Sequence, residues 1–438
     1  MTKISDKKVA DIKAAIAAGM NQPQIAKKFK VSRSIVSDIA TGRAHKDVEW
    51  PDGEAPMPKQ VGGQHKAIPD YDPTDAKVME LEAEIVHLTE ERNRERRKVK
   101  AGAKIAGLFR AITSEMETRI KPFSALPSLY TPRAKAKIVE DCVLHLSDGH
   151  HDQVVRPETV GGLESYDFPI SCVRAERYVD TVIDWTQKTL AATFSFPTLW
   201  ILAYGDHTSG EIHKASERSY YRNQFRNCLA IGQLHALMIR DLAPYFERVN
   251  VLYLSGNHGR RTVKKDYNGA LENWDALVAE VARLHCKSIE NANFLIPDSW
   301  SANIDINGVG FNVSHGDDVK GNGGLPWYGM VRRQKGLIAL GAMTGRRPRY
   351  QVAGHHHCAA SLSDIDGELL VNGSWVGTDP FAYNALAGYR DPTQLFHGVN
   401  PKYGVSWRLH VKLKAENEAR EPSRYLIDGG REIGPLQV

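Results

Sequence analysis

Residues 249–258 read Val-Asn-Val-Leu-Tyr-Leu-Ser-Gly-Asn-His, an apolar, β-rich run that leads directly into a short polar motif. The run predicts a strand, with Gly256-Asn257-His258 at its carboxyl end. Four other β-rich runs end in a polar motif in the same way: Val143 to Ser147 before Asp148-Gly-His150, Thr198 to Tyr204 before Gly205-Asp206, Gly308 to Ser314 before His315, and the shorter Tyr350 to Ala353 before Gly354-His355-His356-His357. Strand ends that are far apart in sequence can converge on one crevice, so the five motifs predict one shared site.

The five motifs carry carboxylate, amide and imidazole groups. This mixture favours Mn, Fe or Zn over Mg or Ca, and among these three we expect Mn. Two divalent ions about 3.5–4 Å apart can clamp the attacking and leaving oxygens of an in-line displacement, provided that one ligand bridges them. Asp206 is the natural bridge because its carboxylate has two oxygens. The ordered motifs therefore predict a two-metal site for hydrolysis of phosphate esters.

In these motifs the chain resembles the calcineurin-like metallophosphoesterase superfamily, over about residues 140–375. The resemblance implies a four-layer α/β/β/α sandwich and two metal ions that share Asp206. It implies these ligands: Asp148, His150, Asp206 and His357 for one ion, and Asp206, Asn257, His315 and His355 for the other. In that family a metal-bound hydroxide attacks phosphorus, and the histidine of the Gly-Asn-His motif, here His258, acts as a general acid or charge stabiliser.

Two neighbouring histidines compete with the expected ligands. His151 adjoins His150, and His356 lies between two expected ligands. Strand alternation favours His355 and His357 on one face and His356 on the other.

The chain departs from the family pattern in two places. The family usually has an acid after Gly-Asn-His, whereas this chain has Gly259, which leaves the protonation of His258 open. The long spacing from Asp148 to Asp206 leaves room for an insertion around 156–171, which we expect to shape the substrate rim.

Composition bounds the class of protein. The chain has 438 residues, of which 42% are hydrophobic and 25% charged, as in globular material that buries a sizeable core. We find no transmembrane span or secretory signal in the sequence, and the five cysteines are scattered without a pairing pattern. We therefore expect a cytoplasmic protein.

Residues 1–45 form a basic segment with nine Lys and Arg against three Asp, a net charge of +6 where the whole chain carries +5. Its apolar spacing predicts helices over 6–18, from Asn21, and over 33–40. The stretch Gln24 to Val36 resembles a helix-turn-helix of the phage and transposase type, which implies a DNA-binding module. The residues expected at DNA are Lys27, Lys28, Arg33, Ser34 and Ser37. A small helical protein-interaction bundle is the alternative.

The remaining organisation follows from composition. We predict a flexible linker over residues 46–74, a helical spacer over residues 75–122 and the metallophosphoesterase domain over residues 123–438. A short coiled coil over 75–100 would allow a homodimer, with a solvated spacer helix as the alternative. Further cations and aromatics predict either a nucleic-acid rim or a solvated face: Arg260, Arg261, Trp327, Tyr328, Arg332 and Arg333.

Together these features predict a metal-dependent phosphodiesterase acting on nucleic acid, most simply a DNA nuclease or DNA-end-processing enzyme in a phage or mobile-element setting. One alternative is a phosphomonoesterase or small-nucleotide phosphodiesterase. The other is a DNA-binding regulator with an inert phosphoesterase domain, which the missing acid after His258 would favour.

Overall fold

A computed structural model of the chain describes residues 4–41, 44–45, 47–51, 84, 87–88, 90–91, 111–132, 138–212, 219–262, 265, 269–319, 326–364, 367–415, 417–418 and 422–426. The chain divides into two compact units, Met1–Arg94 and Glu95–Val438. Most of the predicted linker and spacer, including most of the predicted coiled coil over 75–100, lies outside the described residues. Within the described part, no helix combines the length and the apolar character needed to cross a membrane.

The first unit contains three helices: α1 Asp6–Ala17, α2 Gln22–Phe29 and α3 Arg33–Ala40. The side chain of Asn21 caps α2 and that of Ser32 caps α3, as expected for these residue types. The helices bury a small apolar core made of Val9, Ile12, Ile25, Val36 and Ile39. The predicted helix positions over 6–40 agree closely with these bounds.

The first unit also includes residues beyond position 45. The ammonium group of Lys13 is buried and donates a hydrogen bond of 3.0 Å to the carbonyl of His45 and another to that of Val48. Val48 packs against the core of the unit. The folded part of this unit therefore reaches into the segment predicted as linker.

The second unit is built on two large sheets. The strands are β1 Ile138–Val139, β2 Asp141–Leu146, β3 Phe194–Ser195, β4 Thr198–Tyr204, β5 Arg248–Leu254, β6 Ala292–Leu295, β7 Ser301–Ile306, β8 Val309–Ser314, β9 Tyr350–Ala353, β10 Ala360–Asp364, β11 Gly367–Val371, β12 Thr393–Asn400 and β13 Gly404–Lys412. The six-stranded sheet has the order β13-β12-β2-β4-β5-β6, the five-stranded sheet the order β10-β11-β9-β8-β7, and β1 pairs with β3. Strands β2, β4, β5 and β6 are parallel, as are β8, β9 and β11.

The helices of the second unit are α4 Phe168–Asp184, α5 Gln224–Leu242, α6 Trp274–His285, α7 Trp327–Thr344 and α8 Pro380–Leu386. The sequence also predicts a helix over 105–120 that packs on this unit through Leu108, Phe109 and Ile112. Residues 111–119 are helical, and Ile112 packs against the main core. The other two residues expected in that contact, Leu108 and Phe109, lie outside the described residues.

Strand alternation divides the apolar residues of the second unit between its faces. On β2, Cys142 and Leu144 face the core shared with α4, α5 and α6, whereas Val143 faces the other sheet. The core on that second side joins the two sheets, for example through Leu252 and Phe311. Helix α7 packs on the five-stranded sheet through Met330. The mixed α/β class predicted from the sequence is confirmed.

The predicted helix starts differ from the observed ones for a local reason. The sequence predicts three of these helices at Glu176 to Leu190, Ser216 to Leu242 and Leu271 to His285, between the strands that lead into the motifs. Their first turns are instead set by side-chain caps, because Asp167, Asn223 and Asn273 each accept a hydrogen bond from an amide of the following helix. Apolar periodicity locates the body of a helix but not its capped first residue.

Candidate metal centre

The backbone at the five motifs is unusual. Five polar residues have φ between 40° and 65°, in the left-handed region that side chains larger than glycine rarely adopt: Asp148, His150, Asp206, His355 and His357. Each such residue costs on the order of 1–3 kcal/mol, and such residues cluster where function requires them. All five belong to the motifs that the sequence predicted at one site.

One group of side chains contains Asp148, His150 and His357, whose ligand atoms lie within 4.8 Å of one another. Nε2 of His357 is 3.4 Å from Oδ1 of Asp148 and 3.3 Å from Nε2 of His150. The carboxylate of Asp148 also accepts hydrogen bonds from the Ser147 hydroxyl and the His355 amide. Burial raises the pKa of Asp148, but the histidine partners outweigh it and bring the pKa to about 2.

A second group contains Asp206, His315 and His355, again within 4.8 Å. Nε2 of His315 is 2.9 Å from Oδ2 of Asp206 and 3.0 Å from Oδ1 of Asn257. Nδ1 of His315 lies 3.0 Å from the carbonyl of Tyr204. A proton on Nδ1 satisfies that carbonyl and leaves the Nε2 lone pair for a metal ion.

Asp206 lies between the two groups, because its carboxylate is close to His150 as well as to His315 and His355. Its contacts therefore show whether a cation fits there. Its Oδ1 accepts a hydrogen bond from the His258 amide, and its buried Oδ2 lies 2.9 Å from Nε2 of His315, which is itself an expected ligand. A buried, ionised carboxylate needs a compensating positive charge, and a metal ion held together with the neighbouring imidazole groups provides one. The carboxylate, imidazole and amide donors around it suit Mn, Fe or Zn.

The charges of this pair agree with a cation site. Burial raises the pKa of Asp206, but His315 and His258 outweigh burial and hold it well below its ordinary value. Burial lowers the pKa of His315, but the neighbouring Asp206 carboxylate raises it by more, so that the pKa reaches about 10. The Asp206 carboxylate and the His315 ring therefore form an ion pair that holds one proton between them, and a divalent ion would take the place of that proton.

His258 forms a third group with His150 and Asp206, whose ligand atoms again lie within 4.8 Å of one another. Its ring is 4.7 Å from the ring of His150, edge to face, and its Nδ1 is 3.1 Å from the carbonyl of Ser209. A carbonyl oxygen only accepts hydrogen bonds, so the Nδ1 nitrogen carries the proton in this contact. A backbone carbonyl thus orients this histidine although no acid follows it in the sequence.

The two competing histidines lie elsewhere. His151 is fully buried, with Nδ1 2.6 Å from the Ser171 hydroxyl and Nε2 3.1 Å from Nε2 of His235. His356 belongs to neither group of ligand atoms. Strand β9 ends at Ala353, so left-handed backbone at residues 355 and 357, rather than strand alternation, separates the three histidines.

The expected insertion around 156–171 includes the start of α4, and one of its residues supports the motif that carries Asp148 and His150. Tyr166 is buried and its hydroxyl donates a hydrogen bond of 2.7 Å to the carbonyl of Gly149, between two expected ligands. Gly149 itself has no room for a Cβ, which would come within 2.4 Å of the His151 ring.

Several predicted rim residues have internal partners. Arg260 donates to the Asn257 carbonyl, and Trp327 packs in the cluster around Met330. Arg333 forms an ion pair of 2.9 Å with Asp318. Arg261, Tyr328 and Arg332 are exposed. The cationic stretches after His258 and after His315 also include Lys264 and Lys320, which lie outside the described residues.

The predicted DNA-contacting side chains lie on the surface of the first unit. Lys27, Lys28, Arg33 and Ser34 are exposed and Ser37 is half-buried. They belong to α2 and α3, the helices that the resemblance pairs as a helix-turn-helix.

Two buried carboxylates escaped the sequence interpretation. Asp152 accepts hydrogen bonds from the Ser209 amide at 2.7 Å, the Thr208 hydroxyl at 3.0 Å and the Asn227 side chain at 2.9 Å. Asp275 contacts the Asp206 loop from the other side. Its only signal in the sequence is a place near the start of a predicted helix, which is an ordinary position for an acid.

No protein-family model matches this chain, and no curated protein matches it in sequence. Among solved structures, it is similar to an archaeal phosphodiesterase, at 9% identity and a TM-score of 0.28 over 62% of this chain and 99% of that one. It is also similar to Vps29 from Entamoeba histolytica complexed with zinc, at 12% identity and a TM-score of 0.26 over 62% and 99%. A third is a conserved protein of Streptococcus pneumoniae described as a predicted phosphoesterase, at 9% identity and a TM-score of 0.25 over 62% and 98%. Likenesses this weak assign no activity to the chain, so its function is argued from its own residues.

Proposed function

We propose that this chain is a metal-dependent phosphodiesterase that hydrolyses nucleic-acid phosphodiester bonds, as a DNA nuclease or DNA-end-processing enzyme. In this proposal residues 123–438 are a calcineurin-like metallophosphoesterase domain with α/β/β/α layers. The layering is supported by the apolar cores on both faces of the six-stranded sheet and by the packing of α7 on the other sheet.

One observation carries the proposal: the buried carboxylate of Asp206 belongs to two groups of ligand atoms within 4.8 Å, one with His150 and His258 and one with His315 and His355. In our assignment Asp206 would be a ligand common to two divalent ions. The ligands of the first ion are Asp148, His150, Asp206 and His357, and those of the second are Asp206, Asn257, His315 and His355. Mn is the ion we expect, with Fe and Zn as alternatives.

The residues of the site have different roles in this proposal. Two such ions, when bound, supply Lewis-acid activation of water and neutralise charge on the phosphate. Ser147 and the His355 amide hold the Asp148 carboxylate, and Tyr204 holds His315, so these ligands are oriented in advance. His258, with Nδ1 held by Ser209, presents Nε2 as a proton donor or positive charge for the leaving oxygen.

The choice of DNA as substrate is supported by the first unit. Its exposed cations on α2 and α3 give it the positive charge that binding to a phosphate backbone requires. A helix-turn-helix module of this size usually works as a dimer, so a homodimer through 75–100 is part of the proposal. We also propose a reducing, cytoplasmic location, which the five unpaired cysteines support.

The proposal is tested by Mn²⁺-dependent hydrolysis of linear DNA, closed-circular DNA, RNA, a small phosphodiester and a phosphomonoester. Asp206→Ala should abolish turnover, whereas Asp184→Ala, an exposed change at the end of α4, should leave it unchanged. Turnover of the monoester alone would replace the nuclease by the phosphomonoesterase alternative. DNA binding by a wild-type protein that takes up no metal would replace it by the inert regulator.

A further inference from the structure

Asp275 lies in the first turn of α6 and is almost completely buried. Its Oδ2 accepts hydrogen bonds of 2.9 Å from the amides of both Asp206 and Gly256. Its Oδ1 accepts from the amides of His207, at 3.1 Å, and Thr208, at 3.4 Å. One carboxylate therefore joins the loop that carries Asp206 to the loop that carries Asn257.

These two loops touch directly. A Cβ on Gly256 would come within 2.2 Å of Oδ1 of Asp206, so only glycine allows this approach. Four amides that converge on one point need an acceptor with several lone pairs, and an ionised carboxylate provides them. An amide side chain of the same size offers one oxygen, and its NH₂ group would oppose the remaining amides.

The residue after His258 explains why the carboxylate comes from α6. A Cβ on Gly259 would lie 2.0 Å from Oδ1 of Asn273 and 3.0 Å from Cγ of Asp275. Asn273 also donates to the Gly256 carbonyl at 3.0 Å and caps α6. The space beside residue 259 is thus filled by the start of α6, and no acid fits at that position.

We propose that Asp275 is a positioning residue of the metal centre, which sets the separation of Asp206 and Asn257. This inference rests on the two-metal site of the proposed function. Asp275 acts through the backbone of the ligand loops, so its loss should weaken the ion held by Asp206, Asn257, His315 and His355 more than the other ion.

The test uses the full chain and Mn²⁺ alone. Asp275→Asn keeps the size of the side chain, and Asp167→Asn is the matched control because Asp167 caps α4 through the Ile170 amide. Calorimetric titration gives the number and affinity of bound ions. Electron paramagnetic resonance distinguishes an exchange-coupled pair of Mn²⁺ ions from isolated ones. Thermal unfolding of the metal-depleted proteins measures any purely structural effect.

We expect the wild type and Asp167→Asn to bind two ions with a coupled spectrum. In Asp275→Asn one ion should bind about ten- to a hundredfold more weakly, with loss of coupling. Gly259→Ala should show the same loss, because the added methyl group displaces Asn273 and Asp275 without changing either residue. This variant provides the test if Asp275→Asn does not fold.

The possible failures are distinguishable. A coupled pair of wild-type affinity in Asp275→Asn would overturn the positioning role, even if the variant melts at a lower temperature. A wild-type protein that binds no Mn²⁺ would overturn the proposed function and this inference together.

Discussion

The Nδ1 nitrogen of His258 lies 3.1 Å from the backbone carbonyl of Ser209, whose own amide donates to the buried carboxylate of Asp152 at 2.7 Å. The histidine is therefore connected through the backbone of a single residue, Ser209, to Asp152, which follows the first motif by only two positions. This contact fixes the proton on Nδ1 and leaves Nε2 as the nitrogen for the substrate.

His258→Ala should lower kcat for a diester with a poor leaving group by about 10²–10⁴-fold, because a positioned general acid contributes about that much. The loss should be smaller for an activated aryl diester, whose leaving oxygen needs little protonation. Steady-state kinetics on the two substrates checks this, with the exposed His410→Ala as control. Equal losses on both substrates would leave charge stabilisation as the role of His258.

The two groups of ligands should be separable by mutation. We expect His357→Ala to remove mainly the ion held with Asp148, and His315→Ala mainly the ion held with Asn257, because each histidine belongs to one group. Metal analysis after equilibrium dialysis against Mn²⁺ should find about one ion per chain in each variant, against two in the wild type. Two ions in either variant would contradict the ligand assignment.

Acid should destabilise the second unit through His397. Burial lowers the pKa of this histidine from 6.5 to about 3, so the folded protein keeps it neutral while the unfolded chain protonates it. Its contribution to stability is present above pH 6.5 and is lost as the pH falls toward 3, by up to about 1.4 kcal/mol per pH unit.

His397→Leu removes that titration, so the free energy of unfolding of the variant should fall less steeply between pH 6.5 and 4 than that of the wild type. Urea denaturation across this range measures both slopes. Equal slopes would mean that His397 does not govern the acid response.

The first unit should bind DNA through phosphate contacts. Lys28→Ala should weaken binding and reduce the slope of log K against log salt by about 0.9, the value for one phosphate contact. Fluorescence anisotropy at several salt concentrations measures this slope. Lys402→Ala, an exposed change in the second unit, is the control, and hydrolysis of a small phosphodiester should be the same in both variants. An unchanged slope in Lys28→Ala would exclude this lysine from the interface.

The sequence by itself determined the five strands that lead into the motifs, the three amino-terminal helices and the polar residues of the motifs that the structure brings together. These features depend on local properties, namely the alternation of apolar residues and the chemistry of side chains at strand ends. Helix starts were missed by several residues where a capping side chain, such as Asp167, overrode the apolar pattern.

Only the tertiary structure decided which carboxylates hold the site. Asp275 and Asp152 each accept a hydrogen bond from an amide more than fifty positions away in the chain, so neither has a local signature in the sequence. The tertiary structure also placed His151 in the core and paired Arg333 with Asp318. Such partners depend on how loops from different strands meet, and no periodicity within one segment encodes that meeting.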